Sequence, residues 1–432
     1  MSNQKNQLRQ NQGSSRRQLF ALTCLFALFL GACSQSSETN SNSQTSTITE
    51  NLPSPTQQTG STSSTSPNTT TTVSKLPPLP NDDPLPPNAD LENLELKLTP
   101  VADVPLALGM AWSEEQKYFY VITQKGEVFR TPPDFSTVEL AIDLVNQVTP
   151  YSFESERGMT GVAISPIDGR LFLTYNDLNK DTNVVSYDFK NGMPDPLTRR
   201  LVLFVKQPGI SHKAGNLIFD ETGALYISLG DGGGNKGATS QDYTSLLGSI
   251  LKIIPNIDRD GYTVPADNPF IDDPTRAPEI YVKGLRQPHR FALNHANGDI
   301  YITDVGESTN EELNYLPAGT SGVNFGWPFM EGLEQRKNGG TYEFTPPIYQ
   351  FAHPSWIAII AGFVYHGEKI SKMKGALLFG DMAGKLSLLG RDGITILKIS
   401  ESGNILTSFA EGPDGELYSL SRTGGIKRID PA

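Results

Sequence analysis

Beyond residue 90, apolar and polar positions alternate with a period of two in six short stretches. They open near Lys117 (KYFYVIT), Arg170 (RLFLTY), Ala224 (ALYISLG), Asp299 (DIYITDVG), Ala376 (ALLFGD) and Glu416 (ELYSLS). The turns SPIDG, DETG, HANG and GPDG stand before four of them. Alternation after a glycine-containing turn predicts half-buried strands, and recurrence at blade-like intervals predicts an all-β six-bladed β-propeller. A two-sheet sandwich is the competing architecture, but six similar units favour closure into a ring. The spacing widens after the third and fourth stretches, so two blades are expected to carry insertions. In a propeller such loops are candidate active-site loops, expected together on one face around the central channel. Leu94-Glu95-Leu96-Lys97-Leu98 also alternates and could close the ring against the last blade.

The chain before residue 90 follows a different pattern. Residues 1–17 are polar and basic, residues 19–30 almost wholly apolar, and Leu30-Gly31-Ala32-Cys33 follows at once. The apolar run is too short to span a bilayer, and the arrangement resembles a bacterial lipoprotein signal over residues 1–33, cleaved before a lipid-bearing Cys33. An ordinary helix with a chance cysteine is the bland alternative. Ser15-Arg16-Arg17-Gln18-Leu19-Phe20 further resembles a twin-arginine export signal. Residues 34–90, rich in Ser, Thr, Asn, Gln and Pro, cannot bury enough apolar surface to fold and read as a disordered tether. The expectation is an exported domain over residues 91–432, lipid-anchored to a membrane and facing the periplasm or cell exterior.

Four of the 35 basic residues and none of the 47 acidic ones precede Cys33, so the remainder carries 31 against 47. Such an acidic surface excludes nucleic acid and anionic lipid as partners, leaving the N-terminal lipid as the expected membrane contact. The cysteines are Cys24 and Cys33 alone. The propeller therefore has no disulfide and no cysteine-ligated metal.

Two regions could carry chemistry. Ser211-His212-Lys213-Ala214-Gly215-Asn216-Leu217 precedes the third repeat strand, which ends in Leu229-Gly230-Asp231-Gly232-Gly233-Gly234. A hairpin through the Asp220–Gly223 turn would bring His212 and Asp231 off the same end. A carboxylate on imidazole Nδ1 fixes the tautomer and raises the basicity of Nε2, as a general base requires. A structural histidine capping a turn is the alternative. The fourth repeat brings Gly284-Leu285-Arg286-Gln287-Pro288-His289-Arg290-Phe291, then an acidic loop from Asp304 to Asn314. Arg286 could present its guanidinium to a carboxylate or carbonyl, and the loop offers oxygens for a hard cation such as calcium. A solvated loop and an Arg–Glu pair are the plainer readings.

In order, ERGMTGVAISP from Glu156, SHKAGNLIF from Ser211, LGDGGG from Leu229, SQDYTSLLGSILKI from Ser240, VPADNPF from Val264, EIYVKGLRQPHRF from Glu279, TDVGESTNEELN from Thr303 and NFGWP from Asn324 resemble the glucose/sorbosone dehydrogenase family. That family includes soluble quinoprotein sugar dehydrogenases and hedgehog-interacting-protein-like propellers. The resemblance implies oxidation of aldose sugars to lactones with pyrroloquinoline quinone (PQQ) and calcium. It makes His212 the base, Asp231 its orienting partner and Arg286 the group that stabilises charge on the acceptor. It further implies Glu156, Arg286, Gln287, Trp356 and Lys385 at the cofactor, and calcium on backbone carbonyls at Gly306 and Glu307. Gln287 stands where the family has asparagine. The stretch NILTSFAEGPDG from Asn404 lacks the arginines that quinoprotein members set against the cofactor carboxylates. No haem or flavin motif is visible, so an external electron acceptor is implied. Two other functions fit the same fold: a non-redox propeller binding a glycan or protein, and a calcium-dependent lactone hydrolase using Glu156, Asp231, Gln241 and Asp242.

Overall fold

The computed structural model describes Leu91 and residues 94–432, apart from 154, 339–342, 393–395 and 402, with backbone only for 396–401. The predicted signal, Cys33 and the tether lie outside the described residues.

Six antiparallel four-stranded sheets follow one another along the chain. The first blade comprises Ala107–Ser113, Tyr118–Thr123, Glu127–Thr131 and Glu139–Asp143; the second Met159–Ile164, Leu171–Asn176, Thr182–Tyr187 and Arg200–Val205. The third has Ala214–Phe219, Leu225–Leu229, Ser249–Pro255 and Ile280–Lys283, with a short added strand Tyr262–Thr263. The fourth has Arg290–Leu293, Ile300–Asp304, Asn310–Leu316 and Tyr349–Ala352; the fifth Ile359–Val364, Leu377–Asp381, Lys385–Leu389 and Ile396–Glu401. Leu406–Glu411, Leu417–Ser421 and Gly425–Pro431 form the sixth, completed by Leu96–Ala102 from the start of the domain. Leu98 faces Ile429 across this seam, so the ring closes as expected for a propeller. The six recurring stretches are the second strands of the six blades.

Packing explains why those strands repeat. Along Leu171–Asn176 every residue is buried, yet successive side chains serve different cores. Leu171, Leu173 and Tyr175 pack with the first blade, whereas Phe172 packs with the third. Leu225, Ile227 and Leu229 face the second blade and Tyr226 the fourth. Period-two alternation thus separates two inter-blade cores, and the apolar core lies between sheets.

The upper face is the one on which second strands end and first strands begin. The insertions do not all lie on it. Residues 230–248 do, but 256–279 leave from Pro255 and return at Ile280, at the opposite end, because Ser249 and Lys283 are the upper partners of that strand pair. Residues 317–348 also start at the lower end, after Leu316. They then climb beside Ile280–Lys283, with Lys283 N–H on the Val323 carbonyl (2.9 Å) and Phe325 N–H on the Lys283 carbonyl (2.9 Å). This climb carries Trp327 and Glu331 onto the upper face.

Candidate active site

The hairpin of Ala214–Phe219 and Leu225–Leu229, turned at Asp220–Gly223, sets His212 and Asp231 side by side, with His212 Nδ1 2.6 Å from Asp231 Oδ1. Two features hold this geometry. His212 is in the left-handed region at φ +54°, and its N–H donates to Glu156 Oε2 at 2.5 Å. Gly230 packs so closely that a Cβ there would lie 2.2 Å from the His212 carbonyl oxygen, so the position excludes any side chain.

Asp231 is buried and fully engaged. Besides His212, its Oδ1 accepts the Gly233 N–H (2.8 Å), and its Oδ2 accepts the Trp327 indole N–H (2.8 Å). Burial works against its charge, but the His212 hydrogen bond, the charges of His212 and Arg286, and the Gly233 N–H together hold its carboxyl below the usual range. An ionised Asp231 fixes the proton on Nδ1 and leaves His212 Nε2 without a protein partner among the described residues, as a base requires.

Arg286 and Gln287 are placed by Asp304, whose Oδ2 and Oδ1 accept their N–H groups at 2.7 and 2.6 Å. Burial, and then the nearby Glu312 charge, push the Asp304 carboxyl well above its ordinary range. The Arg286 guanidinium lies 5.4 Å from the Trp327 ring and donates from Nη1 to the Val305 carbonyl (2.9 Å). Its Nε and the Gln287 Oε1 are buried with no partner among the described residues. Gln287 Nε2 meets Glu156 Oε2 at 3.1 Å, so Glu156, His212, Asp231, Arg286 and Gln287 form one connected cluster.

The acidic loop is built inside out. Glu331 Oε1 accepts the N–H groups of Glu307, Ser308, Thr309 and Asn310 at 2.9, 2.8, 2.8 and 3.3 Å. The Glu307 carboxylate pairs with Arg336, which also approaches Glu331 at 3.2 Å. The carbonyls of Gly306 and Glu307 accept no hydrogen bond among the described residues, and a hard cation takes carbonyl oxygens of this kind. No cluster of three His, Cys, Asp or Glu suited to a metal occurs among the described residues, so any cation here depends on carbonyls.

Trp356 and Lys385 meet on the fifth blade. The Lys385 ammonium lies 5.2 Å from the Trp356 ring, which stacks on Phe379 at 5.8 Å and 20°. Asp381 supports them by accepting the Ile357 and Ala358 N–H groups. Gln241 and Asp242 do not join the site. Gln241 is tied to Asn324 and the Trp327 carbonyl, and the exposed Asp242 carboxylate holds its own turn through Thr244.

Sequence reasoning assigned no role to Trp327, although it lies within NFGWP, nor to Glu331, Arg422 or His353. Arg422, just past the last second strand, donates to the Phe153 carbonyl and Gln124 Oε1, both at 2.9 Å, and so meets only neutral acceptors in these bonds. His353 Nε2 sits 2.6 Å from Glu311 Oε1, a second histidine–carboxylate pair near Arg286.

The fold agrees with the comparisons. The family model for glucose/sorbosone dehydrogenase matches residues 103–427. Hedgehog-interacting protein of Homo sapiens is 27% identical over 348 residues, 71% of this chain and 46% of that protein. The aldose sugar dehydrogenase YliI of Escherichia coli is 25% identical over 301 residues, 63% of this chain and 77% of that one. The chain spans about half the length of Hedgehog-interacting protein and of the HIPL1 protein of Arabidopsis thaliana. Among solved structures, the soluble aldose sugar dehydrogenase of E. coli in its apo form aligns at TM-score 0.64 and 20% identity, over 78% of this chain and 99% of that one. The PQQ-bound aldose sugar dehydrogenase of Streptomyces coelicolor aligns at 0.61 and 21%, over 78% and 98%. At these identities the likeness is one of fold.

Proposed function

The chain belongs to the glucose/sorbosone dehydrogenase family, and we propose that it oxidises aldose sugars to lactones, with His212 as the base, PQQ as the oxidant and calcium beside it. The observation that carries this reading is the His212–Asp231 pair next to a buried guanidinium whose Nε has no partner among the described residues. That unsatisfied donor and Lys385 over Trp356 suit a flat, carboxylate-bearing group, whereas the Gln287 oxygen can only accept from a donor on it. Glu156 (through Gln287), Arg286, Gln287, Trp356 and Lys385 would hold it, and the Gly306 and Glu307 carbonyls the calcium. When bound, the quinone supplies a two-electron acceptor and the calcium polarises it.

The protein's own part is proton transfer and charge stabilisation. His212 Nε2 accepts the proton of the anomeric hydroxyl, Asp231 stabilises the resulting imidazolium, and Trp327 keeps Asp231 oriented. Arg286 offers preorganised N–H groups to negative charge that develops opposite His212. An external acceptor must then remove the electrons.

The test is addition of PQQ and calcium to the purified domain, with quinone absorbance and dye reduction followed over a panel of aldoses. Sugar-dependent reduction that vanishes in His212→Ala is expected. Absence of quinone binding at micromolar concentration would overturn the redox reading. It would favour the non-redox alternative, a propeller that binds a glycan or protein, to which the Hedgehog-interacting relatives lend weight. We also propose export and lipid anchoring at Cys33. Mass spectrometry of the native protein should find a diacylated Cys33 at its N-terminus, and Cys33→Ala should abolish membrane association.

A further inference from the structure

The first strands of all six blades surround a channel of about 420 Å3 along the propeller axis. Arg290 closes its upper end. From the fourth blade, its Nη2 donates across the axis to the Leu108 carbonyl of the first (2.6 Å) and its Nη1 to the Thr160 carbonyl of the second (3.0 Å). The channel is therefore separated from the His212 site, and its mouth is on the lower face, where Glu221 and His295 are exposed.

The wall near this mouth is aromatic, formed by Trp112, Phe363 and Phe409, and Glu411 stands among them at the end of its strand. The Glu411 carboxylate makes no hydrogen bond and no ion pair among the described residues, and burial pushes it up to about 7. Its charged neighbourhood offers no cation in exchange. Asp220 holds its own turn through Thr222 and Ala224, Glu221 is another acid, His295 is held below its ordinary pKa by burial, and His366 meets Asn294. Arg290 lies five residues up the strand from His295, on the order of 16 Å at strand rise. A partly buried carboxylate with no counter-charge is costly, and aromatic faces attract cations. The two features select the same ligand. Glu221, His295 and His366 share this mouth with Glu411, but among the described residues no three His, Cys, Asp or Glu come together as a donor set for a metal ion.

We propose that the lower mouth of the axial channel binds a small organic cation, a protonated or quaternary amine on an apolar body, with Glu411 as counter-charge and Trp112 and Phe363 as walls. This site is independent of sugar oxidation.

The test uses benzyltrimethylammonium as the probe at pH 8, with calorimetry and Trp fluorescence, and benzyl alcohol as the neutral comparison. Saturable binding of the ammonium is expected, roughly tenfold weaker in Glu411→Gln and similarly weakened in Phe363→Leu, and unchanged in His212→Ala. Circular dichroism and thermal melting establish that each variant is folded, and either folded variant suffices. Equal binding of benzyl alcohol, unchanged affinity in a folded variant, or no binding at millimolar probe would overturn the proposal.

Discussion

Trp327 donates its indole N–H to Asp231 Oδ2 at 2.8 Å across 96 positions of sequence. The other oxygen of the same carboxylate serves His212. One side chain from the fourth-blade insertion thus fixes the partner of the base on the third. Trp327→Phe keeps an aromatic ring under Arg286 and removes the donor together with the pyrrole edge of the indole. It should lower the sugar-dependent rate with PQQ roughly tenfold with little change in KM, because an unsatisfied buried oxygen costs about 1–3 kcal/mol. Steady-state dye reduction checks this.

Glu156 acts on the same histidine through the backbone. Glu156→Ala removes the acceptor of the His212 N–H and of the Gln287 amide. The left-handed His212 then loses its anchor. A stability loss of about 1–2 kcal/mol in urea denaturation is expected, with a fall in kcat.

Asp304→Ala would strip both the Arg286 and Gln287 N–H groups of their acceptor. The turn that presents Arg286 should loosen, and stability should fall by about 2–4 kcal/mol. Urea melts measure it, and the milder Asp304→Asn, which keeps one acceptor, should lose less.

Glu411 sets a pH dependence. Its folded pKa of about 7 lies above the ordinary 4.5, so the folded state binds its proton more tightly than the unfolded one. Its contribution is complete below about pH 4.5 and is lost as pH rises through 7. Glu411→Gln should therefore gain on the wild type by about 2 kcal/mol between these limits, with partial exposure allowed for. Melting temperatures across pH 4–8 decide it.

The closing strand should be indispensable. Removing residues up to Ala102 exposes the edge of Gly425–Pro431 and uncovers Ile429, which faces Leu98. An exposed apolar edge invites pairing between chains. The shortened protein should melt at lower temperature and associate, as size-exclusion chromatography would show.

The six second strands were legible from the sequence because each side chain on them must enter one of two dry interfaces, so the pattern is imposed by burial alone. The closing strand was legible for the same reason in Leu96 and Leu98. The His212–Asp231 pair could also be foreseen, since one hairpin joins the two and its turn residues lie between them. Trp327, Glu331 and Arg422 could not be assigned. Trp327 crosses from the fourth-blade insertion to Asp231 of the third blade, Glu331 folds back from that insertion onto the acidic loop of its own blade, and Arg422 bonds from the sixth blade to Gln124 of the first; no local pattern records such meetings. Residues 256–279 were expected on the wrong face, because sequence length does not say at which end of a strand pair an insertion leaves. Arg290 was visible only as a basic residue after a proline. That it spans the axis to the Leu108 carbonyl, and so parts the upper site from the channel beneath, was decided by tertiary structure: only in the closed ring do the first and fourth blades face each other.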